Sequence, residues 1–383
     1  MRDWKPTTLG HLVSIQSGVS PSAVTLATSG TVPFVKVDDL NNCQKYQVDA
    51  REYTLSDQFA VPPDSILFAK RGAAIMVNKI RVSKRPLAMD TNMMALIPNP
   101  SVIDSEYLYY FIQSEQLSRI ADVSSIPQIN NKHINPYPIR LPTLPEQRKI
   151  AGILRTWDDA IEACERRGLA LRKQFEGLRL RLFEAAYSSD NRTRHAKDLF
   201  EAVSEKKQTH LPLLAVMQDI GVVRRDELDR RVVMPDGDVD GYKVVRDGDF
   251  VISLRSFEGG LEYSRVTGLV SPAYTVLRSL GSDYIGDYYR HFFKSKSFIG
   301  RLDKLIFGIR DGKQIAFRDF GDMKIPNPPR DEQEAAAEAL GMAEHQIRLA
   351  EQEALAYQQQ KRGLMQKLLT GEWRVKVDKE APA

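Results

Sequence analysis

Only two cysteines, Cys43 and Cys164, occur in the 383 residues. Two thiols cannot build a disulfide scaffold or a four-thiolate metal site. The six histidines are scattered, with no His-x-x-x-His pair and no cysteine beside any of them, so no metal centre is expected. No apolar run approaches the roughly 18 residues a membrane span needs, and an integral helical membrane protein is therefore not expected. The opening MRDWKPTTLG has no apolar stretch behind its first charges, so a secretory leader is not expected and the cytoplasm is the expected compartment. Charge of one sign is scarce too. With 54 Lys+Arg against 50 Asp+Glu, the net +4 is too small to imply a nucleic-acid partner by itself. The remainder, 42% hydrophobic and 27% charged, is the balance of a globular protein long enough for two or three domains.

Catalytic signatures are missing as well. There is no Gly-x-Ser-x-Gly elbow, no Walker loop and no dinucleotide fingerprint. Three look-alikes fail on chemistry. Asn327-Pro328-Pro329-Arg330 lacks the aromatic that an amino-methyltransferase loop stacks on a flipped base, and no glycine-rich S-adenosylmethionine loop accompanies it. Asp236, Asp238 and Asp240, with Asp247 in twelfth place, imitate a calcium loop, but Lys243 holds the position that wants an apolar residue and position 12 is not Glu. An Asp/Gly-rich hairpin turn is the better reading. Pro235-Asp236 could open a nuclease motif, yet no Asp/Glu-x-Lys follows on a credible strand. The expectation is a chain without an active site of its own.

What is present is charge in the right places. Residues 65–89 carry six basic side chains and no acid, and residues 290–318 carry eight against only Asp303 and Asp311. A locally basic face on a near-neutral protein fits a phosphate-binding surface, or else a solvated face with its compensating acids nearby in space. Two polar loops, SSIPQINNKH at 124–133 and GIRDGKQIAFR at 308–318, carry Gln and Asn, which read adenine, and Arg and Lys, which read guanine or neutralise phosphate. They could equally be strand caps and turns.

The chain also repeats itself. A shift of 186 residues lays Glu146-Gln147 on Glu332-Gln333, Leu154 on Leu340, Ile161 on Ile347 and Gly177-Leu178 on Gly363-Leu364. Gln128-Ile129 meets Gln314-Ile315 with the same shift, which drifts to 181 at Tyr107 and Phe111 and to about 180 near Asp39-Leu40. Small insertions between related halves produce such drift. The architecture expected is α/β (α+β): two globular domains and two long helices in an internal repeat with pseudo-two-fold character. The boundaries read 1–144, 145–187, 188–328 and 329–371, with a tail at 372–383.

The helical segments show heptads. In the first, Ile150, Leu154, Trp157, Ile161, Cys164, Gly168, Leu171, Phe175, Leu178 and Leu182 alternate spacings of four and three, the seam of a coiled coil. The second seam reads Ala336, Leu340, Ala343, Ile347, Ala350, Ala354, Tyr357, Lys361, Leu364 and Leu368. One is bulky where the other is small, which predicts antiparallel packing. Setting Ile150 against Leu368 places Gly168 on Ala350, Phe175 on Ala343 and Trp157 on Lys361, the last as a cation–π pair. Thr143 with Glu146 predicts the first helix start and Gly371 the second helix stop. In the globular segments, Thr31–Val37, Ser65–Ala69, Met93–Ile97 and Phe250–Leu254 read as strands. Tyr107–Arg119 and Tyr288–Leu305 have helical spacing, and the stripe Tyr107, Tyr110, Phe111 reads as core rather than a base-stacking platform.

These motifs resemble the specificity subunit of type I restriction–modification enzymes over essentially the whole chain. The carrying residues are LPTLPEQRKIAGIL (141–154), IPNPPRDEQEAAAEAL (325–340) and GLMQKLLTGEWRV (363–375), supported by DSILFAKRG (64–72), DGDFVISLRS (247–256) and IPQINNKHINPYPIRLP (126–142). The resemblance implies two target-recognition domains, each reading one half of a bipartite DNA target, with two antiparallel spacer helices between them. Since the two globular segments differ strongly, the half-sites should differ, giving an asymmetric target. It implies that chemistry belongs to other chains. Two modification subunits would methylate adenine with S-adenosylmethionine, and a restriction subunit would use Mg and ATP. This chain would bind none of these cofactors, and the exposed faces of 146–183 and 332–369 would meet the modification subunits.

The resemblance also points to individual DNA contacts. Lys70, Arg71 and Arg255 fall at the family's strand-end position, and Arg255 should serve only the second domain's half-site. Gln128, Asn130, Asn131, Lys132, Arg310, Lys313, Gln314 and Arg318 come from the paired polar loops. Two readings of other classes stand beside this one: a stand-alone DNA-binding regulator of the same fold, and a scaffold for RNA, although no aromatic single-strand platform supports the second.

Overall fold

The computed structural model describes residues 4–122, 126–187, 192–218, 220–228, 239–252, 259–281, 283–306 and 317–377. Two long helices, Leu144–Tyr187 and Arg330–Leu369, thread the chain. Contacts divide it into two units: residues 1–164 with 353–383, and residues 165–352. Each unit thus combines one globular domain with part of both long helices.

The first unit is built on a five-stranded sheet. Its order is Val13–Ser17, Met93–Pro98, Ile66–Ala69, Ile80–Ser83 and Tyr46–Gln47, antiparallel except at the last pair. The strand Ile66–Ala69 is buried on both faces, which explains its unbroken apolar run. Ile66 and Phe68 point into one core with Tyr107, Tyr110 and Phe111, while Leu67 joins Met93 and Ala95 in another. The aromatic stripe is core, as its spacing suggested. The helix carrying it, Ser105–Glu115, is capped by Asp104, whose carboxylate accepts from the Tyr107 amide at 2.9 Å. A single helix through Arg119 was expected, but Gln116 at φ +62° breaks it and a second helix begins at Leu117.

In the second unit the same order returns. Phe200–Val203, Thr275–Ser279, Phe250–Ile252 and Glu262–Tyr263 form an antiparallel sheet. A two-stranded ladder, Lys5–Thr8 with Pro138–Leu141, recurs as Thr193–His195 with Lys324–Pro326. Rings fill the core: Phe200, Phe250, Tyr289, Phe292, Phe293 and Phe298 are fully buried. The expected Tyr288–Leu305 helix is two, Gly286–Phe293 and Lys296–Ile306, because Ser295 turns its hydroxyl back to accept from the Phe298 amide at 3.2 Å.

Between the long helices the expected antiparallel register appears in the second unit, where a Cβ on Gly168 would stand 3.9 Å from that of Ala350. Seam residues Ile150, Leu154, Leu340, Ile347 and Leu368 are buried, and Trp157, Leu171, Phe175, Leu178, Tyr357 and Leu364 half-buried. Ile161 is buried too. Many of them serve a globular core as well as the seam: Ile150, Leu154 and Leu368 belong to the first core, Phe175, Leu178 and Leu340 to the second.

Two side chains depart from the expected pairing. Trp157 meets Tyr357 edge-on at 5.7 Å, and the Lys361 ammonium goes to Asp158 and over the Tyr110 ring at 5.1 Å. The reason is a buried polar cluster: Tyr110 donates to Asp158, and Lys45 donates to the Tyr110 hydroxyl at 2.8 Å. The half-buried Asp158 carboxylate lies within reach of both the Lys361 and the Lys45 ammonium groups. Phe175 packs edge-on against His291 at 5.8 Å. Gly371, at φ +78°, donates to Leu368 and ends the second helix as expected.

Candidate nucleic-acid interface

The polar loop of the first copy lies along the end of the buried strand Ile66–Ala69. Ile129 donates its amide to the Lys70 carbonyl at 2.8 Å, and Gly72 donates to Pro127 at 2.9 Å, so that Arg71 and Gln128 face each other in an antiparallel bridge. On the far side Asp122 donates to the Gln128 carbonyl at 2.9 Å. The Gln128 backbone is thereby fixed from both flanks by main chain, and the residue is half-buried. Buried Ile129 and Ile134 pin the loop beneath, while the Asn130 amide donates to His133 Nδ1 at 3.0 Å and opens the one-turn helix Asn131–Ile134.

The structure therefore brings Lys70, Arg71, Gln128, Asn130, Asn131 and Lys132 to one place. Arg71, Asn131 and Lys132 are exposed there, and Lys132 pairs loosely with Asp122 at 3.9 Å. Partial burial pulls the Lys70 ammonium below the usual lysine pKa, with Asp90 opposing. The other four cations of the basic stretch do a different job. Arg81 donates to the Leu40 carbonyl and Arg85 to that of Thr31, Lys79 meets Asn41, and Lys84 sits over the Tyr46 ring at 4.3 Å. Two thirds of the stretch thus braces the domain itself, and only Lys70 and Arg71 join the loop.

Of the second copy's candidates, Arg255, Arg310, Lys313 and Gln314 lie outside the described residues. Arg318 is exposed on the short helix Phe317–Gly321, held down by buried Phe320. Two features were not read from the sequence. One is a pair of exposed apolar residues, Met76 and Val77, a few residues past Arg71. The only signal for them was an apolar pair within a basic stretch, and sequence alone does not report exposure. The other is a cleft of about 1150 Å³ in the second unit, lined by Arg179, Tyr263, Asp287, Arg290, His291 and Glu344 among others. Its charges satisfy one another, with Arg290 donating to Glu344 at 2.8 Å and to Asp287 at 3.0 Å. Burial, reinforced by the Arg290 charge, holds the His291 imidazole down at about 4.

The long helices show large apolar side chains to solvent: Leu169, Leu180, Met342 and Leu349 in the second unit, Leu355 in the first. No described helix is long and apolar enough to cross a membrane.

Residues 1–169 match a family model described as the type I restriction modification DNA specificity domain. That stretch contains the whole loop-on-strand surface. The chain is similar to several type I specificity subunits. It is 26% identical to the type I restriction enzyme MjaIX specificity subunit of Methanocaldococcus jannaschii over 45% of this chain, and the alignment spans only 42% of that relative's length. It is 23% identical to a putative type I restriction enzyme MjaX specificity subunit of the same organism, over 96% of this chain and 88% of that one. The fold is shared with the type I restriction–modification S subunit of M. genitalium: TM-score 0.57, 14% identity, 96% of each chain covered. The long helices and mixed α/β domains thus share the fold of that S subunit, and Lys70, Arg71 and Gln128 lie in the stretch that the family model matches.

Proposed function

We propose that this chain is the sequence-reading subunit of a type I restriction–modification complex, with each globular domain reading one half of a bipartite, asymmetric DNA target. The observation that carries the reading is the clamped loop of the first domain. Main-chain bonds fix Gln128 beside Arg71, so an amide and a guanidinium stand on a rigid base, the side-chain types that read adenine and guanine in the major groove. Conservation of the frame in both units supports a second reader built the same way, in which Arg255, Arg310, Lys313, Gln314 and Arg318 take the corresponding part. The chain supplies no chemistry: two modification subunits bring S-adenosylmethionine, and a restriction subunit, where present, brings Mg and ATP. Exposed leucines of the long helices supply apolar area for those partners, and the assembly works in the cytoplasm.

Sequencing of methylated adenines in the native genome, with and without this gene, tests the proposal. Loss of methylation at one split, asymmetric motif on deletion is the expected result. Unchanged methylation, with specific DNA binding by the chain alone, would mean a stand-alone regulator.

A further inference from the structure

Met76 and Val77 are 62% and 61% exposed, yet the backbone that carries them is tied down on both sides. Gly72, at φ +81°, turns the chain off the strand, and three amides close the turn, each donating to the carbonyl three residues back: Ile75 to Gly72 at 3.1 Å, Met76 to Ala73 at 3.0 Å and Asn78 to Ile75 at 3.1 Å. Ile75 is fully buried in the core. Asn78, at φ +50°, then locks the exit, donating to the Gln113 carbonyl at 3.0 Å and accepting from the Leu117 amide at 2.9 Å. Single exposed apolar residues are ordinary. Two in a row on a turn anchored at both ends, a few residues past Arg71 in a stretch without a single acid, are placed for a partner that is anionic and has apolar atoms within reach.

Duplex DNA is such a partner. In the major groove an A·T pair presents adenine N6 and N7, which Gln or Asn can engage, and the thymine C5-methyl, which needs an apolar surface. Gln128 and the Met76–Val77 turn hang from the same short piece of chain, since Gln128 is bridged to Arg71 and Gly72 is bonded to Pro127. We propose that Met76 and Val77 form an apolar reading tip that packs against the thymine methyl of an A·T pair in the half-site bound by the first domain. This inference rests on the sequence-reading function proposed above.

The test uses the chain purified with its modification subunits and a duplex carrying the motif found by methylation sequencing. Each thymine in turn is replaced by deoxyuridine, which removes only the methyl. At one position in one half-site, affinity should fall about fourfold, the value of one buried methyl. That loss should vanish in Met76→Ala/Val77→Ala, which should bind both duplexes with the weaker affinity. The conservative pair Met76→Leu/Val77→Ile should restore discrimination, which separates a reading tip from a folding defect. Equal wild-type affinity for every deoxyuridine duplex would overturn the inference, as would full discrimination by the alanine pair. Weakened binding by the alanine pair irrespective of the methyl, with reduced DNA bending, would overturn it in favour of a wedge between base steps. If the wild-type complex did not distinguish its motif from a scrambled duplex, the sequence-reading function itself would fall, and this inference with it.

Discussion

Gln147 and Gln333 anchor the two copies by the same bonds. The Gln147 carbonyl oxygen accepts from the Asp104 amide at 2.8 Å, and its NH2 donates to the carbonyls of Val102 and Pro142 at 3.1 and 2.9 Å. Gln333 repeats this with the Ile285 amide at 3.0 Å and the carbonyls of Asp283 and Pro328 at 3.1 and 2.9 Å. A side chain with two donors and an acceptor, fully buried, thus ties each long helix to the loop before its domain's aromatic helix. The repeat of Glu-Gln was legible in the sequence, but its reason was not, since three of the partners in each copy are main-chain groups that any residue supplies. Gln147→Ala leaves one buried amide and two buried carbonyls without partners. It should lower the stability of the first domain by about 3 kcal/mol, read as a shifted urea midpoint with unchanged slope, and Gln333→Ala should do the same for the second. Glu146, one residue earlier, accepts two bonds from Arg374 at 2.7 and 3.1 Å and is buried, whereas its counterpart Glu332 pairs with Arg192 at the surface. Equal letters in a repeat do not guarantee equal burial.

At the scale of elements the heptads were readable because a seam of spacing four and three imposes one face on any helix. Gly168 against Ala350 followed from that logic, and the geometry carries a prediction. A methyl on Gly168 meets Ala350 at an ordinary 3.9 Å, so Gly168→Ala should stabilise the chain by about 0.5–1 kcal/mol through lost backbone freedom in the unfolded state. Ala350→Leu, which must force bulk into the same contact, should cost about 1–3 kcal/mol. A thermal melt of both variants decides, and a destabilising Gly168→Ala would refute the register. The pairing of Trp157 with Lys361 failed because heptad reasoning sees only the seam. Asp158 and Tyr110 lie on its domain side, and a carboxylate in hydrogen-bond reach is a stronger partner for an ammonium than a ring face.

The repeat frame sets His291 where Tyr110 stands in the first copy and Glu344 where Asp158 stands. That substitution makes one copy sensitive to acid. Folded His291 is held at about 4, chiefly by burial and then by Arg290, while the unfolded imidazole titrates near 6.5. Its folded pKa is the lower one, so between about pH 6.5 and 4 the unfolded chain takes up a proton that the folded chain refuses. Stability should therefore decline as pH falls through that window, and His291→Tyr, borrowing the residue of the other copy, should flatten the decline. Denaturant midpoints at pH 7 and pH 5 measure both.

For the whole molecule, the repeat was the most legible property, because matched element order needs only matched patterns and survives the divergence of nearly every side chain. The basic and polar stretches are the opposite case. Their composition was visible, but whether Lys79, Arg81, Lys84 and Arg85 faced a ligand or braced the domain depended on partners such as the Leu40 and Thr31 carbonyls, far away in sequence. The proposed division of labour between the copies gives the molecule its sharpest test. Every first-domain candidate, from Lys70 to Lys132, belongs to one unit, and Arg318, the described candidate of the second copy, belongs to the other. Gln128→Ala removes the side-chain amide proposed to read a base while leaving the main-chain bridge to Arg71 intact. It should relax recognition at one adenine of one half-site, by about 1–3 kcal/mol, and leave the other half-site as strict as before. Methylated-adenine sequencing of a strain carrying the variant would show one degenerate position in an otherwise unchanged split motif. Equal degradation of both halves would mean that Gln128 supports the assembly rather than reading a base. Arg71→Ala separates the same alternatives by salt: a lost phosphate contact lowers affinity for all sequences and reduces the slope of log K against log salt by about 0.9, whereas a lost base contact leaves that slope alone and changes the motif.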